Sequence, residues 1–191
     1  YIYQGEELGM TNADFESIDQ FRDIETLNMY RERIEKGYDP EDVMRSVHAK
    51  SRDNARTPMQ WDDSENAGFT TGTPWIGVNG NYKTINAASQ VGRPDSVFSY
   101  YQKLIGLRKA YDIFADGYFE LLMPEDPQIF VYTRTDEQTE MLVYANFYDK
   151  EADCPVLSDW ADAQCLIANE DRAPKRTALH AYEAGILVRK R

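Results

Sequence analysis

Carboxylates are abundant in this sequence, and a pair of them is the first arrangement that could do chemistry. Hydrolysis of a glycosidic bond needs two carboxyl groups about 5–9.5 Å apart across that bond. Glu6 and Glu7 follow residues 1–4, whose apolar pattern predicts a strand that ends at Gly5. Neighbouring side chains of an extended chain point to opposite faces, so these two cannot face each other while the strand continues. The pattern therefore favours a structural turn over a catalytic pair.

The densest group of functional side chains lies at residues 52–61, with the sequence RDNARTPMQW. The rigid fork of donors in Arg52 or Arg56 can hold carboxylates or sugar hydroxyls. Trp61 and Trp75 offer flat apolar faces that suit sugar rings. The same residues also fit an ion-pair network beneath a loop, with the tryptophans filling the core. The residues alone leave both interpretations open.

Other motifs that carry a mechanism are missing from the sequence. It contains no Gly-x-Ser-x-Gly elbow, no phosphate-binding glycine loop and no dinucleotide fingerprint. His48 and His180 are far apart in the chain, so we expect no histidine-based metal site. Cys154 and Cys165 could pair, but they lie outside any Cys-x-x-Cys pattern, and two separate thiols are the favoured interpretation.

The charge of the chain limits its partners. The 191 residues include 33 acidic and 21 basic side chains, for a net charge of −12. Such a surface repels phosphate backbones and anionic lipids, so we expect neither nucleic acid nor a membrane as a partner. An aromatic share of 13% excludes a chain that is disordered throughout, and an apolar share of 42% is ordinary for a globular protein. The length of 191 residues predicts one domain or two small ones.

Helices are predicted for the first part of the chain, where they would position the Arg52 cluster. Residues 23–36 place Ile24, Leu27 and Ile34 on one face at helical spacing. Gly37 follows where a left-handed C-terminal cap belongs.

Two further helices are predicted on either side of a long loop. Asp39 is the expected N-cap of the first, with Pro40 at its first helical position, and this helix ends near residue 51. Residues 52–90 are irregular but rich in aromatic side chains, which predicts an ordered loop. Residues 96–111 repeat apolar side chains so densely that we expect a well-buried helix.

Beyond residue 117 the pattern changes to short strands, which are typical of a small β-sandwich. The polar turn at residues 136–138 predicts a hairpin between two of them. The predicted strands are residues 119–123, 129–135, 141–147, 164–168, 178–183 and 185–188.

Several segments together resemble one family. Residues 1–12, YIYQGEELGMTN, resemble the last barrel strand and following loop of the α-amylase superfamily, glycoside hydrolase family 13. Five other segments resemble the oligo-1,6-glucosidase branch of that family: FESID at 15–19, RDIETLN at 22–28, SRDNARTPMQWD at 51–62, NAGFTTG at 66–72 and PWI at 74–76. The likeness is close over about the first 110 residues and weak in the strand-rich remainder.

The resemblance implies an α+β fragment of a larger protein. Residues 1–116 would be the C-terminal portion of a catalytic (β/α)8 barrel, with its eighth strand, long loop and last helix, and residues 117–191 a small antiparallel β-sandwich domain. The start inside an apolar pattern, without an initiator Met, agrees with a missing upstream part. A lone eighth strand would expose its edges, so we expect the barrel-derived part to self-associate, rearrange or be partly disordered.

The resemblance also implies an activity and two site residues. The enzyme would be a cytoplasmic, retaining, exo-acting hydrolase without a cofactor, which releases glucose from the non-reducing end of α-1,6-linked isomalto-oligosaccharides. Arg52 matches an arginine that holds the terminal glucose in the −1 subsite, paired with an Asp from the missing part. Glu25 matches a glutamate that contacts the next sugar, in the +1 subsite.

The catalytic acids implied by the resemblance match no segment of this chain. Retaining hydrolysis needs a nucleophile and an acid/base together, so we expect no catalytic residue, no metal ligand and no activity in this chain by itself.

Two alternatives remain. Dextran glucosidase, trehalose-6-phosphate hydrolase and sucrose isomerase share much of this segment within the same enzyme class. In a different class, the chain would be a non-catalytic carbohydrate-binding or interaction module, as in amino-acid transporter heavy subunits that reuse the fold.

Overall fold

The computed structural model describes residues 1–170 and 177–191, which divide into two compact units, Tyr1–Tyr101 and Gln102–Arg191. The helices are α1 (Ile24–Glu35), α2 (Pro40–Lys50), α3 (Ala87–Gln90), α4 (Val97–Ala110) and α5 (Ile113–Asp116). The strands are β1 (Tyr118–Leu122), β2 (Ile129–Thr135), β3 (Thr139–Asn146), β4 (Ala152–Asp153), β5 (Gln164–Ala168), β6 (Ala178–Leu179) and β7 (Ala184–Lys190). Among the described helices, none has the length and apolar character needed to cross a membrane. A domain boundary at residue 117 stays a prediction.

Residues 1–4 form no strand, and the prediction of one is wrong. The backbone is irregular up to a turn at Gly5, whose φ of 89° introduces the 3₁₀ turn Glu6–Leu8. Tyr1, Ile2 and Tyr3 are all exposed. A strand needs a neighbouring backbone to complete its hydrogen bonds, and no described residue of this unit lies in a strand.

Helices α1 and α2 lie where two helices are predicted, and the structure packs them as a helical hairpin. Gly37 adopts a φ of 80° after α1, and the side chain of Asp39 accepts a hydrogen bond from the Glu41 amide at 2.8 Å to cap α2. The four residues between the two helices make them antiparallel neighbours. Val43 and Val47 turn inward from α2.

The inward face of α1 differs from the predicted one. Ile24 is 64% exposed, whereas Thr26 is buried and Leu27 packs partly against the core of Phe15, Phe21 and Val47. Thr26 is held inward because its hydroxyl donates to Asp23 at 2.8 Å and lies 3.0 Å from the Ser51 hydroxyl. Because of these polar contacts, the first turn of α1 directs Thr26 toward the core. Ile24, which the apolar spacing predicts to be buried, then faces solvent.

The loop after α2 is ordered, as its aromatic content predicts, but buried side-chain amides make its contacts. Gln60 is fully buried and donates to Asn81 Oδ1 at 3.1 Å, and Asn79 donates to the Thr11 carbonyl at 3.0 Å. Trp61 and Trp75 are more than half exposed, so the interpretation that they fill the core is wrong.

Helix α4 has the predicted length but not the predicted burial. Ser99 is its buried residue, while Val97 and Ile105 are exposed. Periodicity shows only where an apolar stripe lies on a helix, and burial requires a second surface against it.

The second unit is built on an antiparallel sheet with the strand order β1-β2-β3-β7-β5, and β4 pairs with β6 in a second, short sheet. The predicted β2–β3 hairpin is confirmed, and Asp136 accepts hydrogen bonds from the amides of Gln138 and Thr139 in its turn. The predicted strand at 178–183 is confined to two residues, and β4 was not predicted.

One face of the large sheet carries the core of this unit. Val131, Leu142, Tyr144 and Leu187 are buried there, together with Trp160 from a 3₁₀ turn. Cys154 and Cys165 form no disulfide.

Candidate functional site

The structure brings the two predicted site residues, Arg52 and Glu25, together. Arg52 begins a 3₁₀ turn directly after α2, and Glu25 lies in the first turn of α1. Arg52 Nη2 lies 3.3 Å from Glu25 Oε2. Both side chains remain more than half exposed, so their polar groups are available to a ligand.

Arg52 is anchored by Asp23, the residue that precedes α1. Arg52 Nε donates to Asp23 Oδ1 at 3.0 Å, and Arg52 Nη2 contacts the same oxygen. Asp23 is only 3% exposed, whereas Arg52 is half exposed. The expected partner was an Asp from outside this chain, and the structure shows one within it. The buried carboxylate of Asp23 thus holds the Arg52 guanidinium in one position.

The ion pair shifts the pKa of both Asp23 and Arg52. The hydrogen bond from Arg52 is the main cause that holds the pKa of Asp23 well below its usual range, against the opposing effect of burial. The donation from Thr26 lowers the pKa further. In turn, Asp23 raises the pKa of the Arg52 guanidinium, so both remain charged at neutral pH.

The stability contributed by Asp23 is expected to depend on pH. Its pKa is lower in the folded than in the unfolded chain, so the contribution is present above the unfolded pKa and is lost as pH falls through the folded one. We expect the free energy of unfolding of the unmodified chain to exceed that of Asp23→Asn by a constant amount from about pH 8 to 5, and by less as pH falls to about 2. Urea denaturation of both proteins across this range measures the difference. A difference that stays constant down to the lowest pH contradicts the prediction.

Asp53 holds the backbone that leads into α1 through two hydrogen bonds. Its fully buried carboxylate accepts hydrogen bonds from the backbone amides of Arg22 at 2.6 Å and Asp23 at 2.8 Å. The side chain of Asp23 does not cap α1 itself, because it is engaged with Arg52. Asp53 therefore satisfies amides that precede the helix, and its charge is favourable near the positive end of the helix dipole.

The structure separates the roles open to residues of the 52–61 cluster. Arg52 is half exposed, while Asp53 is fully buried and lies 3.5 Å from the exposed Arg56. Sequence reasoning did not single out Asp23 or Asp53 as candidate site residues. Their only signal was position, because Asp53 directly follows Arg52 and Asp23 lies two residues before Glu25.

A cavity of about 300 Å³ opens beside the pair. Its lining includes Arg52, Glu25 and Asp23 together with Met29 and Lys50. Charged donors and acceptors around a partly apolar wall are the features of a site for a small polar ligand. This arrangement offers donors and acceptors for the hydroxyl groups of a small polar ligand.

The carboxylates of Glu6 and Glu7 accept hydrogen bonds from backbone amides of the turn that contains them. Glu6 accepts from the Tyr3 amide at 3.1 Å and from the Tyr101 hydroxyl at 2.8 Å, and Glu7 accepts from the Gly5 amide at 2.8 Å. These hydrogen bonds lower the pKa of Glu6, while burial and the neighbouring Glu6 raise the pKa of Tyr101 to about 12. The geometry fits the structural interpretation of this pair.

One group of potential metal ligands occurs among the described residues. Ligand atoms of Glu170, His180 and Glu183 lie within 4.8 Å of one another. His180 Nδ1 is 2.6 Å from Glu170, and the His180 amide donates to Glu183 at 2.8 Å. These mutual hydrogen bonds account for the cluster as part of a turn, and we assign no metal to it.

Comparison with known proteins defines the class. Residues 1–117 match the sequence model of the alpha amylase catalytic domain, and the chain belongs to this family. The predicted resemblance is thereby confirmed. The match and the antiparallel sheet of the second unit fit a part of a barrel enzyme.

Within the family, the chain is similar to particular glucosidases. It is 60% identical over 151 residues to an oligo-1,6-glucosidase of Parageobacillus thermoglucosidasius, over 78% of this chain and 27% of that protein. It is 54% identical over 193 residues to the probable oligo-1,6-glucosidase 2 of Bacillus subtilis, over 98% of this chain and 34% of that protein. The crystal structure of Bacillus licheniformis trehalose-6-phosphate hydrolase matches with a TM-score of 0.90 and 45% identity, over 98% of this chain and 35% of that one. The chain thus spans about a third of the length of the relatives it matches.

Proposed function

We propose that this chain is the C-terminal part of a retaining, exo-acting α-glucosidase that releases glucose from the non-reducing end of α-1,6-linked isomalto-oligosaccharides. One observation carries the proposal: Arg52 is anchored on a buried carboxylate and lies 3.3 Å from Glu25 at the mouth of a cavity. The similarity to oligo-1,6-glucosidases supports the linkage. In this proposal, residues 1–116 complete a (β/α)8 barrel and residues 117–191 form the C-terminal β domain. Residues 1–4 would then form a strand only beside neighbouring strands from outside this chain.

The two site residues have different tasks in this proposal. The guanidinium of Arg52 donates to hydroxyls of the terminal glucose in the −1 subsite, because a fixed fork of donors matches neighbouring oxygens. The carboxylate of Glu25 accepts from a hydroxyl of the next sugar, in the +1 subsite. Fixing the terminal sugar determines which bond is presented for cleavage, and such positioning supplies a large share of enzymatic rate enhancement.

The bond-breaking groups are expected outside this chain. A retaining mechanism uses two carboxyl groups about 5–5.5 Å apart, one as nucleophile and one as acid/base. Glu6 and Glu7 are engaged in their turn, and Asp23 is engaged with Arg52. We therefore expect the 191-residue chain to be inactive alone. As a separate part of the proposal, the whole enzyme needs no cofactor and acts in the cytoplasm.

The test is an assay of the longer protein that contains this chain. We expect it to release glucose from isomaltose, with α-glucose as the first product detected by proton NMR, while the 191-residue chain releases none. Absence of hydrolysis by the longer protein would overturn the proposal and favour a non-catalytic carbohydrate-binding module. Release of glucose by the short chain at a comparable rate would disprove its predicted inactivity.

A second candidate is hydrolysis of a phosphorylated disaccharide. The structural similarity to a trehalose-6-phosphate hydrolase favours it, and Lys50 in the same cavity could bind a phosphate group. The same assay with trehalose 6-phosphate distinguishes the two, because a much higher kcat/KM for the phosphorylated sugar would replace the first candidate by the second.

A further inference from the structure

A second cavity lies next to the cavity at Arg52 along the helical hairpin. The second cavity also measures about 300 Å³, and its far end is lined by Arg33 and Tyr38. Met29, Ser46 and Lys50 line both cavities. The two cavities therefore lie side by side along α1 and α2, and we call the pair the hairpin groove.

The walls of the hairpin groove are two rows of residues spaced four apart. Residues spaced four apart lie on the same face of a helix, one turn above the other. Helix α1 contributes Glu25, Met29 and Arg33, and the antiparallel helix α2 contributes Lys50, Ser46 and Asp42. The antiparallel arrangement places an acid and a base at each end of the groove and neutral side chains in its middle.

The chemistry of these rows suits a neutral, hydroxyl-rich ligand. Neither Lys50 nor Arg33 forms an ion pair with a described carboxylate, so their donors are available. Glu25 and Asp42 provide acceptors nearby, and they would repel an anionic ligand. The Met29 thioether and the half-exposed ring of Tyr38, which carries the Arg33 guanidinium 4.8 Å from its centre, supply apolar surface for the faces of sugar rings.

We propose that the hairpin groove binds the glucose units of the substrate that lie beyond the +1 subsite. This inference rests on the proposed function, because it takes the Arg52 and Glu25 end as the site of the first two sugars. The ligand is then a neutral α-1,6-linked glucose oligosaccharide of three or more units. The groove would raise the kcat/KM of longer oligosaccharides above that of the disaccharide.

The length of the groove fits this occupant. Glu25 and Arg33 are eight residues apart, which corresponds to about 12 Å along a helix. That distance accommodates roughly two further sugar rings, and the polar groups at the far end then meet hydroxyls of the last ring. A disaccharide bound at Arg52 and Glu25 does not reach Arg33.

The test compares substrates of two lengths in the longer protein. We expect Arg33→Gln to lower kcat/KM for isomaltotetraose about tenfold and to leave that for isomaltose unchanged, because a charge-assisted hydrogen bond is worth at least this factor. Arg31→Gln is the matched control, since Arg31 is exposed on the same helix but lines neither cavity. Ser46→Trp, which fills the middle of the groove, is expected to give the same selective loss.

The outcomes separate this inference from the proposed function. An equal loss with both substrates, or no loss with either, in Arg33→Gln and Ser46→Trp would overturn the assignment of the groove. Failure of the unmodified protein to hydrolyse isomaltose would instead overturn the proposed function. A selective loss with isomaltotetraose, absent in Arg31→Gln, supports both.

Discussion

Replacement of Arg52 by alanine in the longer protein is expected to lower kcat/KM for isomaltose by about 10- to 150-fold. This range corresponds to the loss of one hydrogen bond from a charged donor to the substrate. The change also leaves the buried carboxylate of Asp23 without its cation, so the surface around the terminal sugar is disturbed as well. Initial rates over a range of isomaltose concentrations measure the effect.

Two further variants show whether the paired donors of the Arg52 guanidinium cause the loss of kcat/KM. Arg52→Lys keeps the positive charge but not the paired donors, and we expect a loss between those of the unmodified protein and the alanine variant. Arg45→Ala is the matched control, because Arg45 is exposed on α2 and pairs with Asp42. Full activity of a folded Arg52→Ala protein would disprove the assignment of Arg52 to substrate binding.

Replacement of Asp53 by alanine is expected to make the turn before α1 open more often. The backbone amides of Arg22 and Asp23 would lose their buried acceptor, at a cost of about 2–3 kcal/mol. Opening of this turn should then become roughly 30- to 150-fold more frequent. Hydrogen exchange of the Arg22 and Asp23 amides in the longer protein measures the opening free energy directly.

This variant should also lose activity, although Asp53 contacts no substrate in the proposed site. Asp53 holds Asp23, and Asp23 holds Arg52, so the loss of kcat/KM should approach that of Arg52→Ala. Asp53→Asn keeps an oxygen acceptor of the same shape, and we expect it to recover part of both effects. Protected amides together with full activity in Asp53→Ala would contradict the positioning role.

The sequence determined those elements whose signals are local. The Asp39-Pro40 pair caps and starts α2 through the hydrogen bond of its own side chain, and Gly37 ends α1 because it can adopt a positive φ. The β2–β3 hairpin follows likewise from its polar turn and alternating pattern. Each of these signals acts within a few residues, so the element forms independently of the tertiary structure around it.

The tertiary structure alone decided burial and pairing. The apolar run at residues 1–4 and the stripe on α4 could be located in the sequence, but whether another surface covers them depends on distant parts of the fold. The likeness to known motifs pointed to Arg52 and Glu25, yet their contact arises only where the end of α2 meets the start of α1. Asp53 holds the two amides that precede a helix beginning about thirty residues earlier in the chain. No local pattern encodes such a hydrogen bond, because its two partners become neighbours only after the helical hairpin has formed.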